Sequence, residues 1–185
     1  MKSYLITNRQ FYTDTPAVFR SILHEQFVKF LPDFALYRDK TNPNYAVQAE
    51  HFIEVCRQFE GIKGLIHGDA LLAHKLNAYG VHFTSQQYGQ IPQAKDLSLY
   101  VIASAHSEEE INHAVALGAD AVTYSPIFST PGKGEPKSLE DLKDITGKIK
   151  TNIFALGGII TLDQVKLCEL NGAYGFASIR YFIDN

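Results

Sequence analysis

The sequence is poor in the residues that build secreted, disulfide-stapled proteins: two cysteines, one methionine and no tryptophan. Cys56 and Cys168 stand far apart, each inside a helical pattern, which reads as two reduced, buried thiols of a cytoplasmic protein. A catalytic cysteine needs an exposed, electropositive setting, and neither position suggests one. No apolar run approaches membrane-spanning length, and the first residues lack a signal-peptide pattern. Charge of either sign is in short supply as well. Seventeen Lys and Arg face twenty Asp and Glu, a formal net charge of −3, with no basic stripe interleaved with aromatics. Nucleic acid is therefore a poor partner for this chain, and a membrane is no better. A glycine-rich turn after the first apolar run is also missing, which argues against an open dinucleotide-binding sheet.

What is present is a rhythm. Short apolar runs at residues 4–7, 34–37, 64–66, 80–83, 100–103, 121–124, 153–156 and 175–179 alternate with amphipathic segments at 16–27, 45–59, 70–77, 107–117, 138–149 and 162–170. Residues 84–95 are polar and glutamine-rich and predict at most a short helix. Eight strands alternating with helices and no linker predict an α/β chain, a closed (β/α)8 TIM barrel forming one domain over residues 1–185. After the eighth run only residues 180–185 remain, so the final helix is expected to be shortened or missing. A wall left bare there would favour a homodimer.

The most informative stretch runs from Ser104 to Lys133. Ser107 suits a helix N-cap with Glu110 as its capping-box partner, and Gly118 stops that helix. The loop from Ser125 to Gly134 mixes proline, glycine and hydroxyl residues with Lys133. Such a loop offers backbone N–H groups and one positive charge at a strand's carboxyl end, a site for a phosphorylated small molecule.

In a (β/α)8 barrel the site forms at the carboxyl ends of the strands, with phosphate near strands seven and eight. Gly157 and Gly158 after strand seven, and Ser178, Ile179 and Arg180 after strand eight, suit that anion. Arg38, Lys40 and Lys133 would form a cationic rim for a diphosphate or a carboxylate. Asp69 suits either Mg2+ or the N-cap of the next helix. His82 and His106 read as satisfied core or cap histidines or as acid–base groups, and Ser104 ends strand five beside them. The spacing of His67, Asp69, His82 and His106 matches no strong metal motif.

An ordered set of motifs adds to this reading. Leu5-Ile6-Thr7, Tyr37-Arg38-Asp39-Lys40, Gly80-Val81-His82, Ser104-Ala105-His106, Gly118-Ala119-Asp120, Pro126-Ile127-Phe128, Thr130-Pro131-Gly132-Lys133 and Leu156-Gly157-Gly158-Ile159 follow one another as in a known family. The chain resembles the thiamine phosphate synthase/TenI family over nearly its whole length. Synthases of that family join a pyrimidine diphosphate to a thiazole phosphate with Mg2+, releasing pyrophosphate; TenI-like members shift a double bond in a thiazole carboxylate phosphate. The resemblance implies that Arg38 and Lys40 hold diphosphate, Asp69 ligates Mg2+, and Ser104 and Lys133 face substrate. This chain departs from the synthase pattern at Leu36 and Gly132 and, on the metal side, at Gly68 and Gln87. Glutamine in place of aspartate removes a full charge from a divalent site. A tautomerase histidine expected before the Ile127-Phe128 pair is Pro126. The thiazole-phosphate half of the site is kept best. The leading expectation is thus a TenI-like thiazole phosphate binder, a thiazole tautomerase in which His82 or His106 moves protons. The alternatives are a divergent Mg2+-dependent thiamine phosphate synthase and a non-catalytic regulator of the thiamin pathway.

Overall fold

The computed structural model describes residues 1–184. Eight parallel strands close on themselves in sequence order: β1 (Lys2–Ile6), β2 (Phe34–Tyr37), β3 (Lys63–His67), β4 (Gly80–Phe83), β5 (Tyr100–Ala105), β6 (Ala121–Tyr124), β7 (Asn152–Leu156) and β8 (Gly175–Ser178). The expected (β/α)8 TIM barrel is the architecture found. Side chains alternate across each strand. Tyr4 and Ile6 therefore enter the barrel interior, while Leu5 between them joins the core under the helices.

The barrel interior is floored by aromatic rings. The centroids of Tyr4 and Phe34 both lie 5.4 Å from that of Phe154, and the three rings meet at tilted or edge-on angles. This geometry suits their quadrupoles, and all three rings are buried in the barrel interior.

Around the strands run α1 (Arg9–Tyr12), α2 (Pro16–Phe30), α3 (Tyr45–Cys56), α4 (Ala70–Lys75), α5 (Ile91–Asp96), α6 (Glu108–Ala116), α7 (Leu139–Lys148), α8 (Leu162–Leu170) and α9 (Tyr181–Asp184). The one-turn α1 is not foreseen by periodicity; its signal is Asn8, whose Oδ1 accepts from Gln10 N at 2.9 Å. The polar segment after β4 forms a 3-10 helix (Ser85–Gln90) that runs into α5. Ser107 caps α6 through Glu110 N at 3.1 Å, but the Glu110 carboxylate takes the N–H of His106 instead of that of Ser107. The cap thus reaches one residue further back and fixes the end of β5. Both cysteines are free and buried.

The shortened closing helix is also present, as the four residues of α9. Phe182 is buried against Phe30 at 5.3 Å and stacks on Phe176 at 5.7 Å. The wall at this point is filled by aromatic rings, so the bare surface from which a homodimer was expected is covered here.

Acidic staples hold the barrel's amino-terminal end. Asp120 Oδ2 accepts from Val101 N at 2.7 Å and from Lys95 Nζ at 2.6 Å, tying the start of β6 to β5. Replacing Asp120 by Ala strands that amide, and the expected cost is about 2 kcal/mol. For a chain of this size a thermal melt should record a fall of roughly 4–8 °C.

Candidate active site

The strands' carboxyl ends surround a cavity of about 490 Å³. Thr7, just after β1, accepts the Arg38 N–H on its Oγ1 at 2.9 Å and so aims the turn that follows β2. That turn is braced from below: Asp39 is buried, faces Arg9 and accepts from Thr41 N at 3.2 Å. Asp39 therefore pairs with α1, and its neighbours Arg38 and Lys40 are left to line the cavity. Lys133 reaches it from the far side, on a tight turn closed by Lys133 N to Thr130 O at 3.1 Å.

Among the described residues, none of Arg38, Lys40 and Lys133 forms an ion pair, and no Asp or Glu lines the cavity. Their mutual repulsion is visible in their acidity. Arg38 beside it, then burial and Lys133, hold the Lys40 ammonium below the ordinary lysine range. Burial likewise lowers Arg38. Crowded cations without a counter-anion can accept an anion of high charge.

The opposite end of the cavity is made of backbone. The loop after β6 lies on the end of β7, through Ile127 N to Leu156 O at 2.9 Å and Phe128 N to Gly157 O at 3.0 Å. Gln164 clamps the next turn, taking Ile160 N at 2.8 Å and giving to Gly158 O at 2.9 Å. Ser178 donates to Ile159 O at 2.7 Å and accepts from Tyr181 N at 3.1 Å, fixing β8 against the same turn. The amides of Gly158, Ile159 and Ile179 donate to no group of the protein among the described residues. Buried or half-buried N–H groups rarely stay unpaired, and here they gather beside Arg180. Such a cradle can accept an anion, with less positive charge than the rim opposite offers.

Imidazoles lie between the two ends. His67 and His82 face one another in the register of β3 and β4, ring centroids 6.1 Å apart. Burial first, then Arg38 and Lys40, pull His67 down to about 4, so it is neutral near pH 7. Burial pushes His82 well below its usual value, with His67 and Arg38 adding to the effect. His106 Nδ1 lies 3.0 Å from the carbonyl oxygen of Ser125. A carbonyl only accepts, so Nδ1 carries a proton, and in the neutral ring Nε2 is the acceptor.

The sequence-derived candidates thus converge on one cavity, with a single exception. Asp69 is exposed and does not line it; its Oδ1 accepts from Leu72 N at 2.8 Å as the N-cap of α4. Gln87 is equally engaged, its amide giving to Gly68 O at 3.1 Å and accepting from Thr84 N at 3.1 Å. Among the described residues no group of three or more His, Cys, Asp or Glu is placed to hold a metal ion. Mg2+ prefers an octahedral set of carboxylate, water and phosphate oxygens. Among the described residues the protein supplies no preformed set of that kind. Sequence reasoning missed Tyr4 as a site residue and gave His67 no role. The inward alternation of β1 and the position of His67 at the end of β3 are the signals that mark them.

Comparison with known proteins gives concordant results. A family model described as thiamine monophosphate synthase matches residues 3–182. A putative thiamine-phosphate synthase 2 of Aquifex aeolicus is 37% identical over 116 residues, covering 61% of this chain and 62% of that protein. The thiamine-phosphate synthase of Fusobacterium nucleatum is 31% identical over 131 residues, 68% of this chain and 62% of its own. The matches therefore span less than two thirds of these relatives. Among solved structures, a thiamine phosphate pyrophosphorylase from Pyrococcus furiosus superposes with a TM-score of 0.82 at 24% identity, covering 96% of this chain and 85% of that one. That likeness speaks for the fold. No helix among the described residues is long and apolar enough to cross a membrane.

Proposed function

The chain belongs to the thiamine monophosphate synthase family, and from that premise we propose that its cavity joins a pyrimidine diphosphate to a thiazole phosphate and releases pyrophosphate. The carrying observation is the pair of unlike anion sites in one cavity: a rim of three unpaired cations facing a cradle of unpaired amides. In this reading the diphosphate lies against Arg38, Lys40 and Lys133. The thiazole phosphate lies in the cradle at Gly157, Gly158, Ser178, Ile179 and Arg180.

The chemistry asks little covalent work of the protein. As the bond to the diphosphate breaks, negative charge grows on the departing oxygen, and the three cations lower its energy. The pyrimidine cation left behind is captured by the thiazole held opposite, which is a matter of placement. Asp69 and Gln87 are tied into helix caps, which supports neutralisation by side-chain cations ahead of a resident Mg2+. A cytoplasmic setting belongs to the same reading.

The names of the relatives favour this synthase reading over the TenI-like one that the departures at Gly68 and Gln87 suggest. One observation favours the second reading: His106, with Nδ1 held by Ser125 O, keeps Nε2 as a base in the cavity, as a thiazole tautomerase would require. The decisive assay follows pyrophosphate release from both substrates together, with Mg2+ and with a chelator. Release that requires both substrates is expected. Tight thiazole phosphate binding with double-bond migration and no pyrophosphate would replace the synthase with the tautomerase. Binding without either turnover would leave a regulator.

A further inference from the structure

One polar chain in the barrel interior is not used by the reaction described above. Tyr4 is wholly buried, and its Oη lies 2.9 Å from His82 Nδ1. On the other side of the ring, His82 Nε2 lies 2.8 Å from Ser104 Oγ, and Ser104 lines the cavity. The chain Tyr4–His82–Ser104 therefore runs from the aromatic floor to the ligand's position. It looks like a relay that would activate serine, but counting its protons gives the opposite sense.

Two arrangements connect these atoms. In the first, His82 Nδ1–H donates to Tyr4 Oη and Nε2 accepts the Ser104 hydroxyl proton, as in an activated nucleophile. The Tyr4 O–H then points into the apolar interior. Its oxygen makes no hydrogen bond to any group other than His82 among the described residues, so the proton would be stranded. In the second, Tyr4 O–H donates to Nδ1, Nε2–H donates to Ser104 Oγ, and every buried donor is used. The Ser104 proton is left over, and the cavity is where it can go. A buried donor without an acceptor is costly, so the second arrangement wins.

We propose that Tyr4 is a positioning residue: it fixes His82 as the Nε2–H tautomer, so that Ser104 presents a hydrogen-bond donor to an accepting phosphate oxygen of the ligand and is not a nucleophile. Burial raises the Tyr4 phenol well above its usual range and lowers His82, so both stay neutral. The charged and titratable groups facing His82 are His67 and Arg38, and both disfavour a protonated ring. Ser104 is itself held still, its carbonyl accepting from Tyr88 O–H at 2.6 Å. The tautomer does not depend on the proposed reaction; the identity of the accepting atom rests on it.

The test uses the full chain labelled with 15N, free of ligand, with His82 assigned by the signal missing from H82Q. Wild-type protein is expected to show Nδ1 unprotonated and Nε2 protonated. In Tyr4→Phe, which removes only the phenol, the ring should move to a mixture of both tautomers. A protonated Nδ1 in the wild type, or an unchanged pattern in Tyr4→Phe, overturns the inference. Calorimetry with inorganic pyrophosphate supplies the second readout: Ser104→Ala should weaken binding by roughly tenfold, the worth of one charge-assisted hydrogen bond, and Tyr4→Phe by about twofold to threefold, as a mixed tautomer population dictates. Affinity equal to wild type in Ser104→Ala would remove the donor role. Wild-type protein with the expected tautomer and no pyrophosphate binding would instead count against the synthase reading, and the positioning of His82 would stand on the nitrogen shifts.

Discussion

Replacing Arg38 by methionine is expected to lower kcat/KM for pyrophosphate release by about 100- to 1,000-fold, with the melting temperature unchanged or slightly raised. The two readouts should part because of how Arg38 is held. Its backbone is fixed by Thr7 Oγ1, and the turn beyond it by the Asp39–Arg9 contact. Losing the guanidinium therefore leaves the loop in place. The same change removes the largest repulsion on Lys40 and the second cause of the low His67 pKa. Both groups should then titrate closer to their ordinary values, which 13C or 15N shifts can follow. An unpaired, partly buried cation contributes nothing to folding. Turnover within threefold of wild type would mean that the diphosphate does not lie against Arg38. A melting temperature that falls along with activity would mean that the side chain is structural.

Gly158→Ala is expected to abolish measurable thiazole phosphate binding, a loss of at least about 100-fold, since the cradle's unpaired amides move together. Gly158 sits at φ +68°, where an added Cβ would meet Ser129 O at 2.6 Å and Phe128 Cβ at 2.8 Å. The first of these is backbone and cannot swing aside. The left-handed conformation alone costs a non-glycine residue about 1–2 kcal/mol. Relief of the clash then has to push the loop after β6 away from the amides that it helps to place. Gly134→Ala is the control, because nothing lies within 4 Å of its added Cβ. Calorimetry on the two variants should separate them cleanly. Wild-type affinity in Gly158→Ala would move the phosphate away from this turn.

Much of this was written locally. The barrel follows from apolar runs and caps whose partners lie three or four residues away, as Ser138 with Asp141 and Thr161 with Gln164 do. The anion cradle is marked by adjacent glycines at the seventh strand's end, and the cationic rim by residues that end strands. The cavity side of the metal question was not written locally. Asp69 carries the same letter whether or not it caps a helix, and only the placement of Leu72 N shows that it does. Tyr4 is further from view. Its partner is 78 residues away, and nothing in a run of Tyr-Leu-Ile-Thr says that the hydroxyl will meet an imidazole once the barrel closes. Arg9 and Asp39 are hidden in the same way, since each is an ordinary surface charge until α1 folds across the turn after β2.

The aromatic floor made by Tyr4, Phe34 and Phe154 has a consequence for traffic. A chamber with packed rings beneath it opens beside the strands' carboxyl ends. Lys40 and Lys133 stand exposed at that opening, so a polyanion that approaches it meets positive charge first. Salt in the medium acts on this approach first, because the exposed lysines are screened while Arg38 further in is shielded.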